Sequence, residues 1–552
     1  MKHINKLFLV FIGSLIFLSC NKQIQEKQPN PNKPTSVPPS LVLGTVLTDI
    51  SGTGSSGRLG GINSWDNVQT WNQYHCQNYD YYGNNIYSWD ASNSSFDPYL
   101  VMKNVIQMEN EAKVRGAASV NPYEAVGRFI RAYYYYNLTS LFGDVPQTDA
   151  LISSNSTPTY TPQEQVFLYV LNQLDTANSD FTQLLANNDF SLSLSQDIFY
   201  GTSNPNNTQG DPVWQLQSWQ KLVNSFRLRV LISLSNKASD ATLNVPAQFA
   251  NIIGNPAKYP LFASEKDDLA FFYNPGNANA YSTYPFDPTN FGSIAGRFNM
   301  AYTYVNALTT LNDPRVFMTC EPAAALLGSD PNPCQYKFFT GASTGEPVQS
   351  MYGNANAGLY SYINRKRYYS NYTGDPDVLV GYKEMCFNIA EGIARGWASG
   401  NAEEWYKTGI TTSMAHYDID VSKTSFTAYF LPAGANSVTQ VAAYPFNFDF
   451  PTYYAQASVK LSSTQATAIN QIVLQKYLAM FECSGYEGYY NSRRTGVPVF
   501  QQGSGVGNGG VLPKRWAYPV GEQTQNKTNW NAALSAQQFS ADDLNQTMWL
   551  LK

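Results

Sequence analysis

Tyr123–Ala150 reads YEAVGRFIRAYYYYNLTSLFGDVPQTDA, and its spacing decides the fold. Val126, Phe129, Ile130, Tyr133, Tyr134, Leu138 and Leu141 fall on one stripe, the signature of an amphipathic helix over Tyr123–Phe142. Gly143-Asp144-Val145-Pro146 stops that helix, because glycine suits its C-terminal turn and proline forbids continuation. The turn reads as structural rather than as a ligand group.

The same period recurs on the C-terminal side. Pro162–Leu185 carries Val166, Val170, Leu171, Leu174, Ala177, Phe181 and Leu184 on one face, with Thr161 as N-cap and Pro162 in the first turn. Trp214–Leu234 repeats the stripe through Trp219, Leu222, Val223, Phe226 and Val230. Arg227 and Arg229 interrupt it, so each needs a partner to offset its desolvation. Tyr382–Trp397 and Ala402–His416 form a pair, with Gly400 ending the first and Asn401 and Glu404 opening the second like a capping box. Thr464–Phe481 supplies a further stripe. Paired helices of this length suggest helix–turn–helix units of the tetratricopeptide (TPR) kind, although no clean repeat period is present.

Long irregular stretches lie between the helices: 51–98, 256–374 and 433–451, rich in Gly, Asn, Ser, Pro and Tyr. Loops of such length are uncommon unless functional, and these are too aromatic for plain disorder. Gln501–Gly510 reads as a glycine-rich surface loop.

The N-terminus carries Lys2 and Lys6, then an apolar run from Leu7 to Leu18. That run is too short to span a bilayer and reads as a secretory signal over residues 1–19. Leu18-Ser19-Cys20 resembles a bacterial lipobox, which makes Cys20 the expected lipidation site. Residues 20–40 hold Pro29, Pro31, Pro34, Pro38 and Pro39, the composition of an extended tether. Acyl chains contribute about 0.8 kcal/mol per buried methylene, so more than one chain anchors stably.

Net charge is −5, with charged residues at 14% and aromatics also at 14%, including 39 Tyr. No basic patch of the kind that nucleic-acid binding needs is present. Six cysteines include Cys20. The odd remainder, Cys76, Cys320, Cys334, Cys386 and Cys483, leaves at least one free thiol or an intermolecular bond. Cys320 and Cys334 flank a Pro-containing loop and are the disulfide candidate, a closure worth about 3 kcal/mol in the chain-entropy model. Cys386 and Cys483 fall in helical patterns and read as buried apolar residues.

Six segments, in order, resemble the SusD/RagB family, in particular its second SusD-like branch. They are AYYYYNLTSLFGDVPQTDA (132–150), SWQKLVNSFRLRVL (218–231), the Asp-Pro-Arg turn at Asn312–Arg315, AEGIARGW from Ala390 with the helix from Ala402, Gln475-Lys476 through RRTGVP to Pro498, and PKRWAYPVGEQTQN (513–526). The resemblance implies one mostly α domain over 41–552, built on about four TPR-like helical pairs with an irregular ligand-binding face. It implies an outer-membrane, cell-surface lipoprotein of the Bacteroidetes. Its partner would be a SusC-like TonB-dependent transporter, over which it sits as a lid, and its cargo an oligosaccharide or, less often, a peptide.

A sugar ring presents an apolar CH face and a hydroxyl rim, which suits stacking on flat side chains beside amides and carboxylates. The densest such region is Trp65–Trp89, and the resembled family draws part of its ligand site from the stretch before Tyr99–Arg115. The candidate ligand residues are Trp65, Trp71, Tyr81, Tyr82, Trp89, Tyr281 and Tyr284. A further cluster runs through Tyr352, Asn354, Asn356, Tyr360 and Tyr362. Arg493 and Arg494 read as pins for the C-terminal segment, through acids or carbonyls. No catalytic set, metal site or cofactor is expected. Outside the signal only His75 and His416 exist, neither in ligand spacing, and no phosphate or dinucleotide fingerprint occurs. A secreted glycoside hydrolase would need two carboxylates about 5–9.5 Å apart across a cleft, and no segment carries a hydrolase signature.

Overall fold

The computed structural model describes residues 36–51, 67–81, 83–188, 190, 192–273, 288–291, 295–432 and 434–552. Cys20, Trp65, Tyr82, Tyr281 and Tyr284 lie outside them. The scaffold is helical: α1 (Pro39–Ile50), α2 (Pro98–Val114), α3 (Pro122–Phe142), α4 (Gln163–Asn187), α5 (Pro212–Ser233), α6 (Val245–Gly254), α7 (Tyr302–Thr310), α8 (Tyr382–Ala394), α9 (Ala402–His416), α10 (Gln465–Ala479) and α11 (Glu487–Thr495). The pairs α1–α2, α3–α4, α5–α6 and α8–α9 pack side by side. The series is continuous, because α2 also packs on α3, α4 on α5, α5 on α8, and α8 on α10. Among the described residues, no helix is long and apolar enough to cross a membrane.

Local chemistry sets the helix starts. The side chain of Asn121 accepts from the amides of Tyr123 and Glu124, and that of Asn401 from Glu403 and Glu404. Both satisfy amides that have no partner inside the helix. Pro162 itself takes the N-cap position of α4, one residue beyond the expected cap Thr161. Small residues let the helices approach closely. A Cβ on Gly409 of α9 would lie 2.7 Å from the Phe387 ring of α8, and one on Gly392 of α8 would lie 2.2 Å from the Phe249 ring of α6.

The charged motif residues are buried and paired. Arg229 on α5 donates to Glu384 on α8 (Nε–Oε1 2.8 Å) and to the Leu379 carbonyl (2.7 Å). Glu384 also accepts from the Ser484 hydroxyl at 2.9 Å. Glu487 on α11 accepts from the Tyr136 hydroxyl at 2.7 Å, and Lys476 donates to Asn388 at 2.8 Å. Arg494 (2.5 and 2.9 Å) and Arg395 (2.8 Å) converge on Glu391. Burial alone would raise the Glu391 carboxyl, but these guanidiniums reverse that and hold it at about 2. Arg493 donates to the carbonyls of Lys514 and Ser140, each at 2.7 Å, which pins the C-terminal segment to α3. The Asp-Pro-Arg turn closes on itself: Arg315 grips Asp313 at 2.6 and 2.9 Å and reaches Ser413 and Gln475, with all four side chains buried.

The Gly-Asp-Val-Pro turn is structural as well. Gly143 has φ +93°, and a Cβ there would lie 2.3 Å from Gln537 Oε1. Asp144 accepts from the Gln163 amide that opens α4 (2.8 Å), and burial pushes its carboxyl up to about 6.

Two expectations are corrected. The stretch 256–374 is not irregular throughout. Its described part carries β4 (Leu269–Phe271), β5 (Phe298–Met300), α7 and short helices at Arg315–Thr319, Ala324–Leu327, Val348–Asn356 and Arg365–Tyr368. Stretch 433–451 contributes β8 (Ala442–Asn447), which pairs antiparallel with β7 (Ser425–Phe430). The hairpin alternates as a one-faced sheet must, burying Phe426, Ala428 and Phe430 and exposing Ser425, Thr427 and Tyr429. Secondly, Cys320 and Cys334 form no disulfide. Cys320 sits in the core beside Thr319, while Cys334 packs against the Tyr444 carbonyl of β8, so the two sulfurs have different neighbours. Cys76, Cys386 and Cys483 are free and buried.

Candidate ligand-binding face

The first aromatic region folds as a short helix (Asn67–Trp71), β1 (His75–Gln77) and a long loop to Trp89. β1 pairs antiparallel with β5, which brings residues 75–77 beside 298–300. Asn85 then closes the loop by acting as a strand neighbour: its Oδ1 accepts from the Gln77 amide (2.8 Å) and its Nδ2 donates to the Gln77 carbonyl (2.9 Å). Asp80 and Tyr81 lie exposed in a turn and, with the half-buried Tyr79 before them, form a tip.

A segment far along the chain meets this tip. Helix Val348–Asn356 buries Met351 and Ala355 and turns Tyr352 outward. Tyr79 stacks on Tyr352 (centroids 5.4 Å apart, planes at 29°) and lies 6.3 Å from Tyr81. Tyr81 is 78% exposed and Tyr352 42%. Gln349 on the same helix hydrogen-bonds Asp80 across the junction. Behind it, Glu346 accepts from Asn354 (2.6 Å) and from the Tyr360 hydroxyl (2.7 Å). Burial, then this bond to Glu346, pushes the Tyr360 phenol up to about 12. The result is a ledge of rings bordered by Asp80 and Gln349.

The glycine-rich stretch 501–510 is the ledge's footing. The Tyr87 amide donates to the Val506 carbonyl (3.0 Å), and the Gly505 amide to the Gly345 carbonyl (3.0 Å). A Cβ on Gly345 would lie 2.0 Å from the Gln502 carbonyl, and one on Gly505 would lie 2.1 Å from that of Glu346. Backbone packs on backbone there, which only glycine permits.

Two predicted ligand residues are corrected. Trp89 is fully buried and Trp71 only 6% exposed. Trp89 stacks on Trp516 (5.6 Å) and meets Trp71 (5.2 Å) and Tyr489 (4.8 Å) edge-on, while Trp71 Nε1 donates to the Ile86 carbonyl. These rings join the loop to the C-terminal segment and offer no face to a ligand. Of the predicted ligand residues that are described, Tyr81 stands on the ledge. Tyr352, from the further cluster, joins it. Tyr79 and Gln349 were not singled out as ligand residues. The signal available was two tyrosines spaced two apart, Tyr79 and Tyr81, flanking Asp80 in a turn.

Three further grooves, of about 620, 480 and 470 Å³, lie around Tyr99 and Ile152, along α7 and α10, and beside β7. The latter two each carry one exposed ring, Tyr302 and Tyr429, and the first carries none. Among the described residues no group of His, Cys, Asp or Glu is arranged to hold a metal ion.

Residues 31–519 match the second SusD-like family, described as starch-binding and associating with the outer membrane. The chain belongs to this family. Solved structures agree. A SusD homologue from Bacteroides fragilis is 26% identical with a TM-score of 0.74, and the match covers 94% of this chain and 100% of that one. An outer-membrane protein from Bacteroides vulgatus, described as involved in nutrient binding, is 28% identical over the same shares with a TM-score of 0.72. A chitin-binding protein shares the fold at 21% identity and a TM-score of 0.65, covering 93% of this chain and 100% of that one. No curated protein matches the chain.

Proposed function

We propose that this protein is a cell-surface lipoprotein, anchored through Cys20, that captures oligosaccharides on the Tyr79–Tyr81–Tyr352 ledge. It hands them to a SusC-like TonB-dependent transporter and performs no chemistry itself. The observation that carries the reading is the ledge: two exposed rings, preset by the stacked Tyr79, with carboxylate and amide groups at their edge. Rings already held in place lose little freedom when a ligand docks. The domain layout follows the same reading, with a signal over 1–19, a tether over 20–40 and a binding body from 41. Support for a saccharide cargo comes from the family description as starch-binding and from a chitin-binding protein of the same fold.

The test is calorimetric titration against plant, host and microbial oligosaccharides, with peptide digests alongside. Tyr81→Ala and Tyr352→Ala should each weaken saccharide binding roughly 3- to 10-fold, the share of one aromatic contact, with an unchanged melting temperature. Binding of peptides alone would replace the cargo, and turnover of any ligand would end the non-enzymatic reading. Labelling with a radioactive fatty acid, lost in Cys20→Ala, tests the anchor.

A further inference from the structure

The stretches that build the ledge share a property that composition averages hide. No lysine or arginine occurs from Leu59 to Met102, from Phe338 to Asn364, or from Thr495 to Pro513. The fold brings these stretches together: Tyr79 stacks on Tyr352, Gln349 bonds Asp80, Tyr87 bonds Val506, and Gly505 bonds Gly345. Acids are present in the same stretches, with Asp80 on the ledge and Glu346 behind it.

Of the cations near these stretches in sequence, Arg365 is clamped by Glu321, Lys337 lies over the Phe338 ring at 4.7 Å, Arg493 holds the C-terminal segment, Arg494 grips Glu391, and Arg297, whose carbonyl accepts from the Asn78 amide, has a partner of its own. His75 is buried against Glu482 at 3.1 Å. Backbone amides are the other means of holding an anion, and a glycine-rich loop is where such a cradle forms. Here the amides of Gly503, Gly505, Val506, Gly507 and Gly510 already donate to carbonyls.

We infer that the ledge selects saccharides by charge, taking neutral or cationic chains and rejecting polyanionic ones such as uronates and sulfated glycans. A carboxylate or sulfate docked there would be desolvated beside Asp80, and the three stretches that build the ledge carry no guanidinium or ammonium to replace its water. The inference rests on the saccharide reading above and narrows it.

The test is a titration of the purified full-length protein against three sets of oligosaccharides. The neutral set comprises gluco-, manno-, xylo- and N-acetylchito-oligosaccharides; the cationic set is chitosan oligosaccharides; the anionic set comprises oligogalacturonates and chondroitin sulfate fragments. The expected result is binding within the neutral or cationic sets, with anionic chains at least about tenfold weaker. Asp80→Lys, which also removes the bond to Gln349 and is therefore compared with Asp80→Asn and checked by melting temperature, should narrow that gap in a salt-sensitive way. An oligogalacturonate or chondroitin sulfate fragment that binds as tightly as the best neutral chain, and loses affinity in Tyr81→Ala, would overturn charge selection and leave saccharide capture standing. Binding in none of the three sets would overturn both.

Discussion

Tyr81 and Trp89 lie in one loop and have opposite environments. Tyr81 stands in solvent, whereas Trp89 is wedged between Trp516, Trp71 and Tyr489. Trp89→Ala should therefore cost about 3–5 kcal/mol, since it removes a large buried ring and leaves a cavity. Tyr81→Ala should stay within about 0.5 kcal/mol of the parent. Urea unfolding of the two variants checks both, and equal losses would mean that the tip is part of the core. Sequence alone did not separate these residues, because aromatic density marks a region and not an orientation. Trp89 is claimed by Trp516 and Tyr489, 427 and 400 positions away, and no local pattern announces that contact.

At the scale of elements, the long helices were legible and the short ones were not. Helix α9 runs from Ala402 to His416, as its stripe and its Asn401 cap required. Four- and five-residue helices such as Ala324–Leu327 and Arg315–Thr319 complete too few turns to show a stripe, and they fell inside stretches read as loops. Close helix packing was also hidden, since Gly409 carries no signal of the Phe387 ring that covers it. Gly409→Ala gains helix propensity worth about 1 kcal/mol, but it forces the ring aside. A net destabilisation of about 1–2 kcal/mol is expected, read as a lower melting temperature, and a rise would show that the α8–α9 seam has room.

For the whole molecule, the buried ion pairs determine how the fold meets acid. Glu391 sits at about 2 when folded, against an ordinary 4.5 when unfolded. A depressed carboxyl lends stability that is complete above its unfolded value and is lost as pH falls toward the folded one. That amounts to roughly 3 kcal/mol, lost between about pH 5 and pH 2. Glu391→Gln should be about 3–5 kcal/mol less stable at pH 7, because Arg494 and Arg395 lose their counter-charge. It should also lose less than the parent across that window. Denaturant titrations at several pH values measure both, and parallel pH curves would contradict the assignment. The need for partners was visible in advance, from arginines interrupting apolar stripes. Which acid each arginine found, such as Glu384 from a helix about 150 positions away for Arg229, was not.

A glycine-rich stretch on a protein's surface is where an engineer would splice a tag or a reporter, on the view that such loops absorb insertions freely. Residues 501–510 do not have that latitude. Their glycines set the height at which residues 344–346 and 86–87 rest, so they act as a spacer of fixed thickness beneath the rings. A two-residue insertion after Gly505 should disturb the proposed ligand capture without touching a ring, and should lower thermal stability as well. The same insertion in the exposed turn at Asp420–Lys423 should do neither. Suppliers of labelled protein, and any lineage adapting this face to a new ligand, would have to vary Tyr81, Gln349 and Tyr352 while leaving the glycines as they are.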